Sequence, residues 1–293
     1  MVVALVKFGL DLPLTDSFND LKNLYYSAGA VGFDYAFMPD HLRSIDGKLP
    51  MNVWDALCML TTVPSDVGLG SMVADIHRAD ASTTIQHIHT LVNHAEERDV
   101  IIGLGSGMMY DNEGVGNNRS YTLHKILHVK SSKDVAGARF VLAAKGKNMK
   151  RFARDFADGW MAKHAITFDD YCKEKKDFGY ISSDRNFIFA VDVSVAFEES
   201  DEVFNKLAHK YLLQTDKYFY SMLTEENLGE LEKDVKNVDR DVLRKIAIIG
   251  DEVAVEKRLQ EFVNVGVTLF TVKLYGDEFG RFRRVMECLR QKN

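Results

Sequence analysis

Short apolar runs alternate with longer amphipathic stretches along the whole chain. Val2–Leu10 is apolar and β-branched and predicts a strand. Thr15, Asp16 and Ser17 follow, residues whose side-chain oxygens cap helix starts. Phe18, Leu21, Leu24, Tyr25 and Ala28 then recur at helical spacing, and Gly29 and Gly32 close that helix. Phe33–Met38 is the second run, Asp66–Ala74 the third and Val100–Gly105 the fourth. Between them Asn52 opens a helix carrying Val53, Ala56, Leu57 and Leu60, and Ser82 caps another carrying Ile85, Ile88 and Val92.

The second half keeps the rhythm. Arg139–Ala144 predicts a strand, Asn148–Ala157 a helix, Gly159–Lys163 a short strand and Thr167–Lys176 a polar helix. Asn186–Phe197 is a long apolar run. Helical segments fill Glu198 to about Val265, Thr268–Tyr275 is the last strand and Glu278–Leu289 the last helix. Strands that alternate with helices pair in parallel through crossovers. Eight such units fit a (β/α)8 TIM barrel, with a doubly wound open sheet as the alternative. No linker divides the chain, so residues 1–293 read as a single domain. The weakest stretch is Met108–Gly137, polar and glycine-rich, with one helical candidate at Ser120–Val129.

Composition narrows the class. Hydrophobic residues make up 46% and charged residues 27% of 293 positions, and only four are proline, which argues against a disordered or fibrous chain. The formal net charge of −6 argues against a nucleic-acid partner. Cys58, Cys172 and Cys288 are odd in number and far apart, as expected of reduced thiols in a cytoplasmic protein. MVVALVKFGLDLPL reads as a strand rather than a signal peptide. No apolar run reaches the roughly 20 residues that span a membrane.

In a barrel the chemistry sits where strands run into the loops that follow them. Strand 1 ends in Asp11, strand 2 in Pro39-Asp40-His41, strand 3 in Val73-Ala74-Asp75 and strand 6 in Lys163-His164. His41 can donate a proton near neutrality, and the neighbouring Asp40 can set its tautomer. Strand 5 runs through Ala144 into Lys145-Gly146-Lys147 and a helix start, a combination suited to an anion such as phosphate. Gly103-Leu104-Gly105-Ser106-Gly107 fails the dinucleotide pattern, because Met108 stands where its third glycine belongs. His87, His89 and His94 lie on a predicted helix, and residues two apart face different sides of a helix, so no metal centre is expected.

GFDYAFMPDHL, NVWDALCMLTTV, VGLGSMVADIHRADASTTIQHIHTL, IIGLGSG, FVLAAKGKNMKRFARDFADGW and GDEVAVEKRLQEFVNVGVTLFTVKLYG, in this order, resemble the luciferase-like superfamily of flavin- and F420-dependent oxidoreductases. Among its subgroups the chain is most similar to the coenzyme F420-dependent methylenetetrahydromethanopterin reductases, whose first strand ends like Phe8-Gly9-Leu10-Asp11. The resemblance covers roughly 1–107 and 135–290. It implies a (β/α)8 barrel with a shortened insertion after strand 4, and coenzyme F420, or alternatively FMN, at the carboxyl rim.

By the same resemblance His41 lies beside the ring, and Met72-Val73, next to Ala74, is a non-prolyl cis peptide backing it. Ser106 and Gly107 form the strand-4 loop at the cofactor. Ala144, Lys145, Gly146 and Lys147 hold its phosphate. Asp11 acts near a small-molecule substrate, with Asp40 and His41 as further catalytic candidates. The family pattern also implies a homodimer. Two departures stand out: Met108 replaces an acidic residue, and Lys145-Gly146-Lys147 lacks the family's proline. An FMN-dependent monooxygenase, a flavin-binding barrel without turnover, and a sugar-phosphate isomerase or aldolase remain the competing readings.

Overall fold

Strand pairing accounts for most long-range order. In the computed structural model, which describes residues 5–41, 49–105, 119–162, 166–178, 186–212, 230–231, 233–276 and 278–292, every strand pair is parallel. The elements are β1 (Lys7–Asp11), α1 (Phe18–Val31), β2 (Tyr35–Met38), α2 (Val53–Thr61), β3 (Gly68–Asp75), α3 (Ala81–His94), β4 (Val100–Gly105), α4 (Arg119–Ser131), β5 (Ala138–Ala143) and α5 (Lys147–Phe156). They continue with β6 (Gly159–Met161), α6 (Phe168–Phe178), β7 (Ile188–Ala196), α7 (Asp201–Leu212), α8 (Arg240–Ile246), β8 (Ala247–Ile249), α9 (Glu252–Asn264), β9 (Leu269–Tyr275) and α10 (Phe279–Lys292). Strands β1 to β7 pair in sequence order, β7 pairs with β9, and β9 returns to β1, which closes an eight-stranded barrel.

The expected (β/α)8 architecture is therefore present, and α4 lies between β4 and β5. Some local expectations change. The span Glu198–Val265 is not wholly helical, because Ala247–Ile249 pairs with Ser194–Ala196 on the edge of β7 that also holds β6. A three-residue strand between two helices leaves almost no periodic trace. The α3 cap is Asp80 rather than Ser82: its carboxylate accepts the Thr83 backbone N–H at 2.9 Å. The first strand begins at Lys7, and Val2 lies outside the described residues. Ser17, Asn52 and Gly32 cap helices as expected.

Strand alternation sorts side chains into two layers. Phe8, Leu10, Ile102, Phe140, Trp160 and Phe270 face outward into the main core with Leu21, Tyr25, Leu259 and Phe282 of the helices. Tyr35, Phe37, Ile101, Val141, Met161 and Leu269 fill the interior. At the amino-terminal end Tyr35 Oη donates to Asp99 Oδ2 at 2.8 Å and accepts from Arg139 Nη2 at 2.6 Å. Burial raises the Tyr35 phenol above its ordinary range, so it stays a donor. This polar plug closes the bottom of the barrel.

Two glycines set how closely β3 and β4 approach. A Cβ on Gly70 would lie 1.8 Å from the Ile101 carbonyl oxygen, and one on Gly103 would lie 2.6 Å from the Ser71 carbonyl oxygen. Neither neighbour is a flexible side-chain end, so the backbone itself would have to move. Gly103→Ala is expected to cost about 2–3 kcal/mol in urea unfolding. Gly146→Ala, where an added Cβ meets nothing within 4 Å, should stay within about 0.5 kcal/mol of the wild type.

Candidate active site

A closed parallel barrel gathers the carboxyl ends of its strands on one rim. Asp11 ends β1 there. It shares the parity of Gly9, whose added Cβ would meet the interior side chains of Phe37 and Tyr35, so Asp11 points toward the axis. His41, partly exposed, follows β2, and Lys145, Gly146 and Lys147 follow β5. Ser106, Gly107 and Met108 lie outside the described residues, as do Lys163 and His164.

The Met72–Val73 peptide bond is cis. Over the same residues the pairing of β3 with β4 shifts register between Ser71 and Ala74. Met72 and its neighbour Val73 both pack in the interior cluster, making a two-residue apolar ledge below the rim. Ser71 Oγ donates to the Gly103 carbonyl at 3.0 Å and fixes the irregularity from behind. Ala74 and Ala144 belong instead to the outer core, so their side chains do not face the mouth. The Ala144 carbonyl accepts the Trp160 indole N–H at 2.9 Å.

Asp40 serves the scaffold of the rim. Its Oδ2 accepts the Asp75 backbone N–H at 3.0 Å, its Oδ1 pairs with Arg78 Nη1 at 2.7 Å, and Arg78 Nη2 donates to its carbonyl at 2.9 Å. Both carboxylate oxygens are thus engaged in joining the ends of β2 and β3. Burial pushes the Asp40 carboxyl up from the ordinary range, against the lowering effect of Arg78 and the Asp75 N–H. Beside this brace His77 Nε2 lies 2.9 Å from Thr122 Oγ1 and its ring stacks on Tyr121. Burial lowers the His77 pKa, Lys125 adds to that, and Asp75 opposes it.

The α5 start has the chemistry of an anion site. Gly146 is its N-cap and supplies no side-chain hydrogen bond. The first N–H groups of a helix have no partner within it, and the helix dipole places positive charge there. The space beside Gly146 is open, and Lys145 and Lys147 are exposed on either side of it. These features fit a phosphate.

A second polar group on the rim escaped sequence reasoning. Asp192 and Ser194 of β7 have the inward parity of Ile188 and Ala190, and Thr271 of β9 lies opposite Asp192. Lys210 of α7 donates to Asp192 Oδ2 at 2.9 Å and to Ser194 Oγ at 3.0 Å. Thr271 Oγ1 donates to Asp192 Oδ1 at 3.3 Å. Phe204, Leu207 and Ala208 of α7 share a core with Ala196 and Tyr275, the uppermost inward positions of β7 and β9. Helix α7 thus roofs this sector of the mouth instead of lying outside the barrel. Burial opposes the Lys210 charge, and nearby anions, Asp192 foremost and Asp11 also, hold it above the ordinary lysine range. The sequence signal was a carboxylate and a hydroxyl two residues apart within an apolar run.

Fold and rim together define a (β/α)8 barrel with a two-sided mouth, apolar at β3 and polar at β7 and β9. No family model matches the chain, and no curated protein matches it in sequence. Solved structures do share its fold. The coenzyme F420-dependent tetrahydromethanopterin reductase from Methanopyrus kandleri has 17% identity over 98% of this chain and 97% of that one, with a TM-score of 0.72. An F420-dependent secondary alcohol dehydrogenase, solved with an F420-acetone adduct, has 14% identity over 97% and 99%, with a TM-score of 0.77. The FMN-bound oxygenating constituent of 3,6-diketocamphane monooxygenase from Pseudomonas putida has 12% identity over 98% and 97%, with a TM-score of 0.62. At such identities the likeness is one of fold.

The Asp40 brace has a pH signature. Arg78→Met would remove the guanidinium that faces the buried Asp40 carboxylate, a change that costs about 3 kcal/mol at neutral pH. The folded-state pKa of Asp40 is already raised and would rise further, so the folded chain binds this proton more tightly than the unfolded one. Stability contributed by this group therefore falls as pH climbs through that value. The deficit of Arg78→Met against wild type should shrink in urea titrations at pH 5 compared with pH 7.5.

Proposed function

We propose that the chain is a luciferase-like oxidoreductase that binds coenzyme F420 at the carboxyl rim and exchanges hydride with a small organic substrate. The observation that carries this reading is the pairing of the apolar ledge at Met72 and Val73 with the anion-ready start of α5. Strand β4 separates β3 from β5, so ledge and helix start stand about 10 Å apart. That spacing suits a flat ring joined to a phosphorylated tail. The shared fold with F420-dependent enzymes supports the same reading.

Bound there, a deazaflavin would supply two-electron hydride transfer, and the chain supplies position and field. Met72 and Val73 back one ring face. The N–H groups of α5, with Lys145 and Lys147, hold the phosphate. His41 donates a hydrogen bond at the ring edge and handles charge there. Asp11, aimed at the axis, orients the substrate, and Asp40 with Arg78 holds the His41 backbone in place. Helix α7 keeps water from the β7–β9 side.

A second reading, an FMN-dependent monooxygenase of the same superfamily, draws on the fold shared with the FMN-bound monooxygenase. Titration with F420 and with FMN, each followed by its own absorbance and fluorescence, separates the two. Saturable F420 binding is expected; FMN binding alone would favour the second reading, and binding of neither would overturn both. Replacing both Lys145 and Lys147 by Ala should weaken the bound cofactor about tenfold, a loss of about 1.4 kcal/mol, and flatten its salt dependence.

A further inference from the structure

We infer that Lys210 is a positioning residue for the substrate side of the mouth, fixing Asp192 and Ser194 as a polar wall opposite the apolar ledge. The inference rests on the proposed function and deepens it: the wall would receive the oxygen of a small carbonyl or alcohol substrate.

Four observations carry it. First, the interior is divided. Phe37, Met72, Val73, Val141 and Met161 make β2 to β6 apolar, whereas Asp192, Ser194 and Thr271 make the upper part of β7 and β9 polar. Second, the ion pair is costly. The Lys210 and Asp192 side chains are 14% and 4% exposed, and taking such a pair out of water rarely gains stability over apolar residues of similar volume. The fold alone gives no reason to keep it. Third, Lys210 comes from the roof and its partners from the wall, so the bond sets how α7 sits over the mouth. Fourth, Ser194 Oγ accepts from Lys210, which directs its own O–H elsewhere, and a hydroxyl polarised in this way is a good donor to a substrate oxygen.

Lys210 itself works indirectly. On the α7 side the cavity bordered by Lys210, Asp192, Ser194, Leu207, Tyr211 and Ile246 holds about 10 Å³, room for one water and no more, so a substrate would meet Asp192 and Ser194 from the barrel axis. The ammonium therefore acts through Ser194 and Asp192. In the reaction considered, reduced F420 would supply a hydride to the carbonyl carbon and be oxidised in turn, solvent would supply the proton for the oxygen, and Ser194 would hold that oxygen by its O–H.

The test compares wild type with Lys210→Met, Lys210→Arg, the double variant Lys210→Met/Asp192→Leu, and Ser194→Ala. Readouts are the melting temperature, the F420 dissociation constant from fluorescence, and kcat and KM for oxidation of reduced F420 by a panel of small ketones and aldehydes. The expected result for the double variant is a melting temperature equal to or above wild type, an F420 dissociation constant within twofold, and a kcat at least tenfold lower. Lys210→Arg should recover most of the loss shown by Lys210→Met. Ser194→Ala, a small change that preserves folding, should lower kcat in the same way. Wild-type kcat and KM in Ser194→Ala, or in the double variant, overturn the inference alone. So does a wild type that binds F420 yet reduces no carbonyl. A wild type that binds neither F420 nor FMN overturns the proposed function, and this inference with it.

Discussion

Closure of the sheet is the constraint on which the rest depends. Once β9 returns to β1, every strand has one face toward the helices and one toward the axis, and period-two alternation assigns each side chain to a layer. The outer layer carries most of the hydrophobic burial. The inner layer is thin and narrow. It is filled by aromatic and aliphatic side chains low in the barrel and opens into a functional mouth above them. A one-residue slip in any strand would exchange the two sets, which is why register is strongly specified here.

The irregular stretch of β3 shows how a site can be built within that constraint. The shift between Ser71 and Ala74 brings two consecutive apolar side chains to the interior, where regular alternation would allow one. The backbone crowding that results is accommodated by hydrogen in place of Cβ at Gly103 and Gly70. The ledge, the glycines and the Ser71–Gly103 hydrogen bond thus form one packing unit spread over two strands.

Charge is handled differently on the two sides of the mouth. On the β2–β3 side Asp40 and Arg78 form a brace that ties loop ends together, and the carboxylate is spent on structure. On the β7–β9 side Lys210 reaches from a helix into the barrel wall. Burial opposes the charges of Asp40 and Lys210, and Arg78 and Asp192 respectively act against that effect. Between them lies the apolar interior, a low-dielectric gap in which polar groups act more strongly than in water.

The order of strands and helices was readable in the chain because each is amphipathic at its own period, and eight parallel strands in about this length have few ways to close. The rim positions of Asp11, His41 and Lys145–Lys147 followed directly, since a strand end is a local property. Strand Ala247–Ile249 was not readable: three residues between helices carry no period. Nor was the fate of Asp40, whose carboxylate is claimed by Arg78 from another loop, or the orientation of Ala74 and Ala144, which depends on register. Lys210 was least visible of all. It stands 18 residues beyond its partner Asp192 on a helix that would ordinarily lie outside the barrel. Only the folding of α7 over the mouth brings the two charges together, because ion pairing between distant segments is decided by tertiary packing and leaves no mark in local sequence.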